Sequence, residues 1–326
     1  MSRAVLSTLT GYLFALMSLA ILPLHASNSP HLFAAGVISG AADDLSPAFT
    51  PDGKTVFFTR GNNSSSMIMV STLAKEHWST PKIAPFSGQW LDLEPSMSPD
   101  GSFLVFASNR PPAGGVPLDG VYNGKTFPEK GGNLWRVDRT GAGWGTSRRL
   151  PDTINTSTSV FSPSVASDGS IYFMRPDPNT GNFHLFRSQY RDGNYLEAMP
   201  VGVGDATTED VDPAVAPDES FMVYSSNHPG PAHEPKRLKI VFRKGDGWTA
   251  PTDLGDEVNE AGSNVESRLG PDHRTLYFST NTVPPVSYPR SPEQARRDLE
   301  KMEVWANGRE NIWYVSLGPW VDNRHK

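Results

Sequence analysis

This chain repeats one short sentence of residues five times, and that repetition narrows its possible folds more than anything else in it. The clearest copy is Leu-Glu-Pro-Ser-Met-Ser-Pro-Asp-Gly-Ser-Phe-Leu-Val-Phe-Ala-Ser-Asn-Arg at 93–110. A short strand meets a Pro99-Asp100-Gly101-Ser102 turn, an apolar strand comes next, and the copy leaves on polar Ser-Asn-Arg. Proline presets the negative φ that a turn needs, and glycine takes the positive-φ position that Cβ-bearing residues avoid. Flanked by β-formers, the turn reads as a hairpin. The turn aspartates of the five copies are Asp52, Asp100, Asp168, Asp218 and Asp272. The third copy has Ser167 in place of the turn proline, and the fourth has Glu219 in place of the glycine.

A second landmark trails each of the first four hairpins. An alternating apolar strand leads to an aromatic residue ten positions on, as in Ile68 to Trp78, Leu134 to Trp144, Leu185 to Tyr195 and Leu238 to Trp248. Another short strand comes after it, at 82–86, 148–151, 198–203 and 253–258. Repeated four-stranded units of this length, without alternating helices, predict an all-β, five-bladed β-propeller of four-stranded antiparallel blades. The hairpins are placed at 44–60, 92–110, 160–175, 210–228 and 264–281. The fifth unit lacks room for a fourth strand, while residues 31–39 form a strand-like segment with no blade of their own. This N-terminal strand is therefore expected to complete the last blade and close the ring, removing free sheet edges.

The pattern acid-x-x-Pro-(Ser/Ala)-x-x-Pro-Asp-Gly, an aromatic-rich strand and Ser-Asn-Arg resembles the WD40-like β-propeller repeat of TolB-type periplasmic proteins. Trp248-Thr249-Ala250-Pro251-Thr252-Asp253-Leu254-Gly255 is similar to variants in cell-envelope proteins. The separate α/β domain of TolB has no counterpart here. The resemblance implies an architecture and a compartment, not a reaction.

Residues 1–26 differ from the rest. Arg3 precedes an apolar stretch from Val5 to Leu24, and His25-Ala26-Ser27 offers a small-residue cut. This reads as a signal peptide cleaved near Ala26, with Leu24 a poor fit at −3 and an uncleaved anchor as the alternative. The remaining 27–326 are expected to form one propeller domain, periplasmic or secreted, monomeric, with no membrane attachment beyond the leader. The 29 Gly and 29 Pro fit a turn-rich fold. The net charge of −6, without basic blocks, argues against nucleic acid, and zero Cys excludes thiolate metal sites and thiol catalysis.

Alternate loops of a propeller fall on opposite faces. The Pro-Asp-Gly and aromatic turns share one face; the other collects the inserts at 111–132 and 282–308 and the loop at 228–236. Long loops on a rigid scaffold are where binding sits. In the last insert, Ser291-Pro292-Glu293 has helix-start chemistry, and a helix from Gln294 is read either as a lid or as loop filling, with Leu299 and Met302 on its apolar side.

The candidate binding residues of this face are Asp44, Arg60, Glu94, Arg110, Arg175, Asp212, His228 and Glu266. They read either as a polar mouth for a protein or glycan of the cell envelope, or as structural ion pairs repeated because the blade repeats. Asp212 and Glu266, in the least regular units, are the acid/base candidates if the protein is a carbohydrate-active hydrolase or lyase. The reading leans away from an enzyme. No Gly-x-Ser-x-Gly elbow or His-Glu-x-x-His pair occurs, and no metal or other cofactor is expected.

Overall fold

The computed structural model describes residues 28–62, 64–141, 143–205, 207–227, 235–259, 262–281, 283 and 285–323. The signal-peptide reading of 1–26, His228 and most of the 228–236 loop fall outside them. Five antiparallel sheets form a five-bladed β-propeller. The first blade runs Asp43–Phe49, Thr55–Gly61, Ser66–Ala74 and Lys82–Ile83. The second runs Asp92–Met97, Phe103–Ser108, Asn133–Thr140 and Arg148–Arg149. Third come Phe161–Val165, Ile171–Pro176, Phe183–Ser188 and Met199–Pro200. The fourth holds Asp210–Val215, Phe221–Ser226, Arg237–Lys244 and Thr252–Asp253.

The fifth blade has Val265–Leu269, Thr275–Thr280 and Asn311–Ser316, and its outer strand is His31–Leu32 from the N-terminal end. His31 faces Tyr314 and Leu32 faces Trp313, so the ring closes as the sequence pattern predicts. The closing strand is shorter than 31–39, because Ala34 and Gly36 both take positive φ and turn the chain away from the sheet. The residues beyond Leu32 still serve the closure. Phe33 packs edge-on against Phe49 and Tyr277, and Ile38 is fully buried beside Ile312.

The core is a set of five apolar clusters, each lying between successive blades. The recurring aromatic has its explanation here. It sits on a small hairpin at the tip of the third strand and reaches back over the preceding blade. Trp144 packs on Phe57 and Phe86, Trp248 on Tyr172, and Trp78 on Phe33 of the closing segment as well as Phe49 of its own blade.

Two departures from the turn consensus, Ser167 and Glu219, make contacts that the consensus residue could not. Ser167 keeps the amide that a proline lacks, and it donates to the Pro217 carbonyl of the next blade at 2.8 Å. Glu219 sits at φ +56°, where glycine would be unstrained, and its carboxylate accepts from Arg187 and Arg243 at 2.8 Å each. Elsewhere glycine is dictated by space: a Cβ on Gly101 would lie 2.8 Å from Pro51 in the neighbouring turn.

The insert at 111–132 carries a hairpin, Gly120–Tyr122 with Lys125–Phe127, closed by stacked Tyr122 and Phe127. The insert at 282–308 carries a helix, Pro292–Val304, started by a capping box between Ser291 and Gln294. No residue of this helix is buried, and Leu299 and Met302 are about half exposed. Just past its end, Trp305 meets Trp313 of the fifth blade edge-on.

Candidate functional site: a ring of five at the propeller axis

Each innermost strand is interrupted at the same place. The register slips after Leu45, Leu93, Phe161, Val211 and Val265, leaving two bulged residues per strand. The first bulged residue takes a left-handed φ in every blade: Ser46 at +49°, Glu94 at +55°, Ser162 at +50°, Asp212 at +56° and Glu266 at +58°. In four blades the second is a proline (Pro47, Pro95, Pro163 and Pro213), which brings no amide that the broken ladder would orphan. Non-glycine residues with this φ are strained, and five in one ring is a feature held by the fold.

The consequence is convergence. Carboxylate oxygens of Glu94, Asp212 and Glu266, drawn from three blades, lie within 4.8 Å of one another. Ser46 donates its hydroxyl to Glu266 Oε2. Ser162 donates its amide to Glu94 Oε2 at 2.6 Å and its hydroxyl to Asp212 Oδ1 at 2.8 Å. The Glu266 amide reaches Asp212 Oδ2 at 2.9 Å.

One cation lies among these acids. Two residues past each ring position the chain has Ala48, Ser96, Ser164, Ala214 and, in the fifth blade, Arg268. The four small residues leave room on the axis, and Arg268 fills it, 4% exposed, donating to Ser162 Oγ at 3.2 Å and lying 3.5 Å from Glu266 Oε2.

Three carboxylates against one guanidinium is an unbalanced set, and it shows at Glu94 and Glu266. Burial, then Asp212, pushes Glu94 up to about 7, with Arg268 opposing. Burial, then Asp212 and Glu94, raises Glu266 well above the usual carboxylate range. Such a set can share protons between its carboxyls, or it can exchange them for a cation; an all-oxygen donor set of this kind suits a hard ion over zinc.

The axis is narrow towards the Pro-Asp-Gly turns, where the cavity bounded by Pro51, Pro99, Pro271 and Arg268 measures about 80 Å³. On the opposite face the cavity beside the ring is larger, about 480 Å³, lined by Asp43, Leu45, Thr59, Asn62, Arg309 and Glu310 among others. Thr59 Oγ1, on its wall, accepts the Glu94 amide at 2.8 Å. Glu310 adds a fourth acid, pushed up to about 7 by burial, Asp43 and Asp212.

The other candidate residues go elsewhere. Asp44 takes Arg60 Nε at 2.6 Å and the Gly40 amide at 2.8 Å, while Arg60 also caps the Ile38 carbonyl. Arg110 pairs with Asp92 at 2.6 Å, and Asp92 accepts from Ser87. In both pairs the acid sits at the start of a blade and fastens the chain arriving from the outer strand before it. Burial outweighs the arginine at Asp44 and lifts it to about 6. Arg175 bonds Thr156 Oγ1 at 2.6 Å and stacks 4.0 Å over Phe186. Ser46, Ser162, Arg268 and Glu310 are not singled out by the sequence pattern. For Arg268 a signal does lie in the repeats when aligned on the bulge, since an arginine in a column of alanine and serine is the outlier.

No protein-family model and no curated relative matches this chain. Among solved structures it is similar to TolB from Acinetobacter baumannii, at 14% identity and TM-score 0.48, over 84% of this chain and 55% of that one. The chain thus spans about half the length of that protein. It is also similar to a gluconolactonase from Xanthomonas campestris, at 12% identity and TM-score 0.48, over 88% and 85% of the two chains. A third is a PQQ-bound aldose sugar dehydrogenase from Streptomyces coelicolor, at 10% and 0.40, over 88% and 98%. At such identities the likeness is one of fold and carries no chemistry. No helix among the described residues is long and apolar enough to cross a membrane.

Proposed function

We propose that this is an exported, periplasmic or secreted β-propeller that binds a protein or glycan partner of the cell envelope through its loop-rich face. Its repeat is read as WD40-like, of the TolB type. The observation that carries the reading is an asymmetry between faces. One face is closed by near-identical turns around a cavity of about 80 Å³. The other bears both structured inserts and the wide, acid-lined mouth beside the axial ring. Repetition builds a scaffold; the irregular additions are what a partner can distinguish. The test removes the inserts one at a time, replacing 111–132 and 282–308 with short turns, and measures capture of cross-linked envelope partners. Loss on either deletion, with the melting temperature kept, supports the reading, and full capture by both contradicts it.

A second reading, a carbohydrate-active hydrolase or lyase, is favoured by one observation. Glu94 and Glu266 are raised acids beside a third carboxylate, and a glycosidase needs one carboxyl protonated while another is ionised. Burial of Glu94 and Asp212, 4% and 3% exposed, stands against it, because a sugar would have to reach them. Turnover of an envelope glycan by the wild type that is lost in Glu266→Gln and Asp212→Asn would establish it.

A further inference from the structure

The cavity on the loop-rich face holds a charge that nothing among the described residues balances. Oε2 of Glu310 is buried, in a side chain that is otherwise partly exposed, and no hydrogen-bond donor among the described residues reaches it. The nearby charges are committed or of the wrong sign. Arg309 Nη1 is turned to Asp43 at 3.3 Å, and Asp43 also takes the Glu310 amide at 3.1 Å. Asp212, on the ring side, adds negative potential. A buried carboxylate oxygen without a donor is costly, and such an atom in a native fold calls for a partner.

The cavity indicates which partner. With Asp43 and Arg309 cancelling, Glu310 leaves a single uncompensated carboxylate, which matches one positive charge. The volume, about 480 Å³, is in the range of small-molecule sites. Its walls carry Leu45 and the bare backbone of Gly61 and Gly308 for an aliphatic stem, with Thr59 Oγ1 as a further acceptor near the base. No described lining residue is aromatic, so none of them offers a flat face to a guanidinium plane or a quaternary ammonium, as cation–π recognition requires. What fits is a slim apolar chain ending in a compact donor of three hydrogen bonds.

We propose that this cavity receives a protonated primary amine, the side chain of a lysine presented by the protein that docks on the loop-rich face. The inference rests on the binding function proposed for that face and names the chemistry its partner must bring. It also selects protein over glycan.

The probe is the peptide acetyl-Gly-Lys-Gly-amide, whose only amine is the lysine Nζ, titrated into the full protein at pH 8 and followed by amide NMR shifts. Saturable shifts at Asn62, Gly308, Arg309 and Glu310 are expected. They should weaken at least tenfold when the lysine is acetylated, in Glu310→Gln, and for the wild type at pH 5, where Glu310 is protonated. The last measurement needs no variant. Absence of shifts, equal binding of the acetylated peptide, equal binding by Glu310→Gln, or displacement of the peptide by calcium chloride at matched ionic strength overturns the proposal. Partner capture that survives Glu310→Gln leaves the loop-face function standing without the lysine, whereas that function falls separately, on the insert deletions.

Discussion

Glu94 and Ser162 are distant in sequence, yet the Ser162 amide donates to Glu94 Oε2 at 2.6 Å. The bond crosses from the second blade to the third at the axis, and Ser162 passes the contact on to Asp212 of the fourth through its hydroxyl at 2.8 Å. The ring is thus stitched at its centre by side chains that the inner-strand bulges aim inward.

The first prediction concerns pH. Glu94 and Glu310 are raised from 4.5 to about 7, Asp44 from 3.8 to about 6, and Glu266 is raised as well. Between their unfolded and folded values the native state holds protons that the unfolded chain has released. Stability is then full below about 4.5 and lost as pH rises through about 7. Melting temperature should fall between pH 5 and pH 8, and Glu94→Gln combined with Glu266→Gln should flatten that slope.

Arg268 is the second test. Replacing it with methionine keeps length but leaves three carboxylates without their cation. Removing one partner of a buried charge set costs about 3–5 kcal/mol. The loss should approach that value at pH 8 and shrink at pH 5, where the acids can protonate, as read by urea denaturation at the two pH values.

Closure of the ring is carried by the N-terminal segment. Phe33→Ala should cost about 3–5 kcal/mol, the range for emptying a buried aromatic site. Deleting 31–39 should lower the melting temperature far more than deleting 323–326, and equal effects would contradict the closure.

Glu219 separates strain from pairing. Glu219→Ala loses both arginine contacts and keeps the positive φ. Glu219→Gly loses the contacts but relaxes the backbone, and should be more stable than the alanine variant by about 1 kcal/mol. Both should be less stable than the wild type.

The fold was legible because a propeller repeats its turns, and a Pro-Asp-Gly turn between β-formers keeps its local meaning wherever it stands. The site was legible only in part. Glu94, Asp212 and Glu266 stand out as acids leading into hairpins, but Asp44 is an acid at nearly the same place and forms a latch with Arg60. Two residues along an inner strand decide between the blade's edge and its bulge, and only backbone register distinguishes them. Glu310 was beyond reach, since nothing around Asn311–Ser316 signals that the ring brings this segment beside Asp43 of the first blade.

The fold gathers acids from three blades into one buried, mutually coupled site, and side-chain carboxyl NMR titration probes that coupling without an intermediary. Glu94 should titrate near 7, with Glu266 well above its usual range, and removing Asp212 should lower both. Titration of Glu94 and Glu266 between 4 and 5, unmoved by Asp212→Asn, would contradict the coupled site.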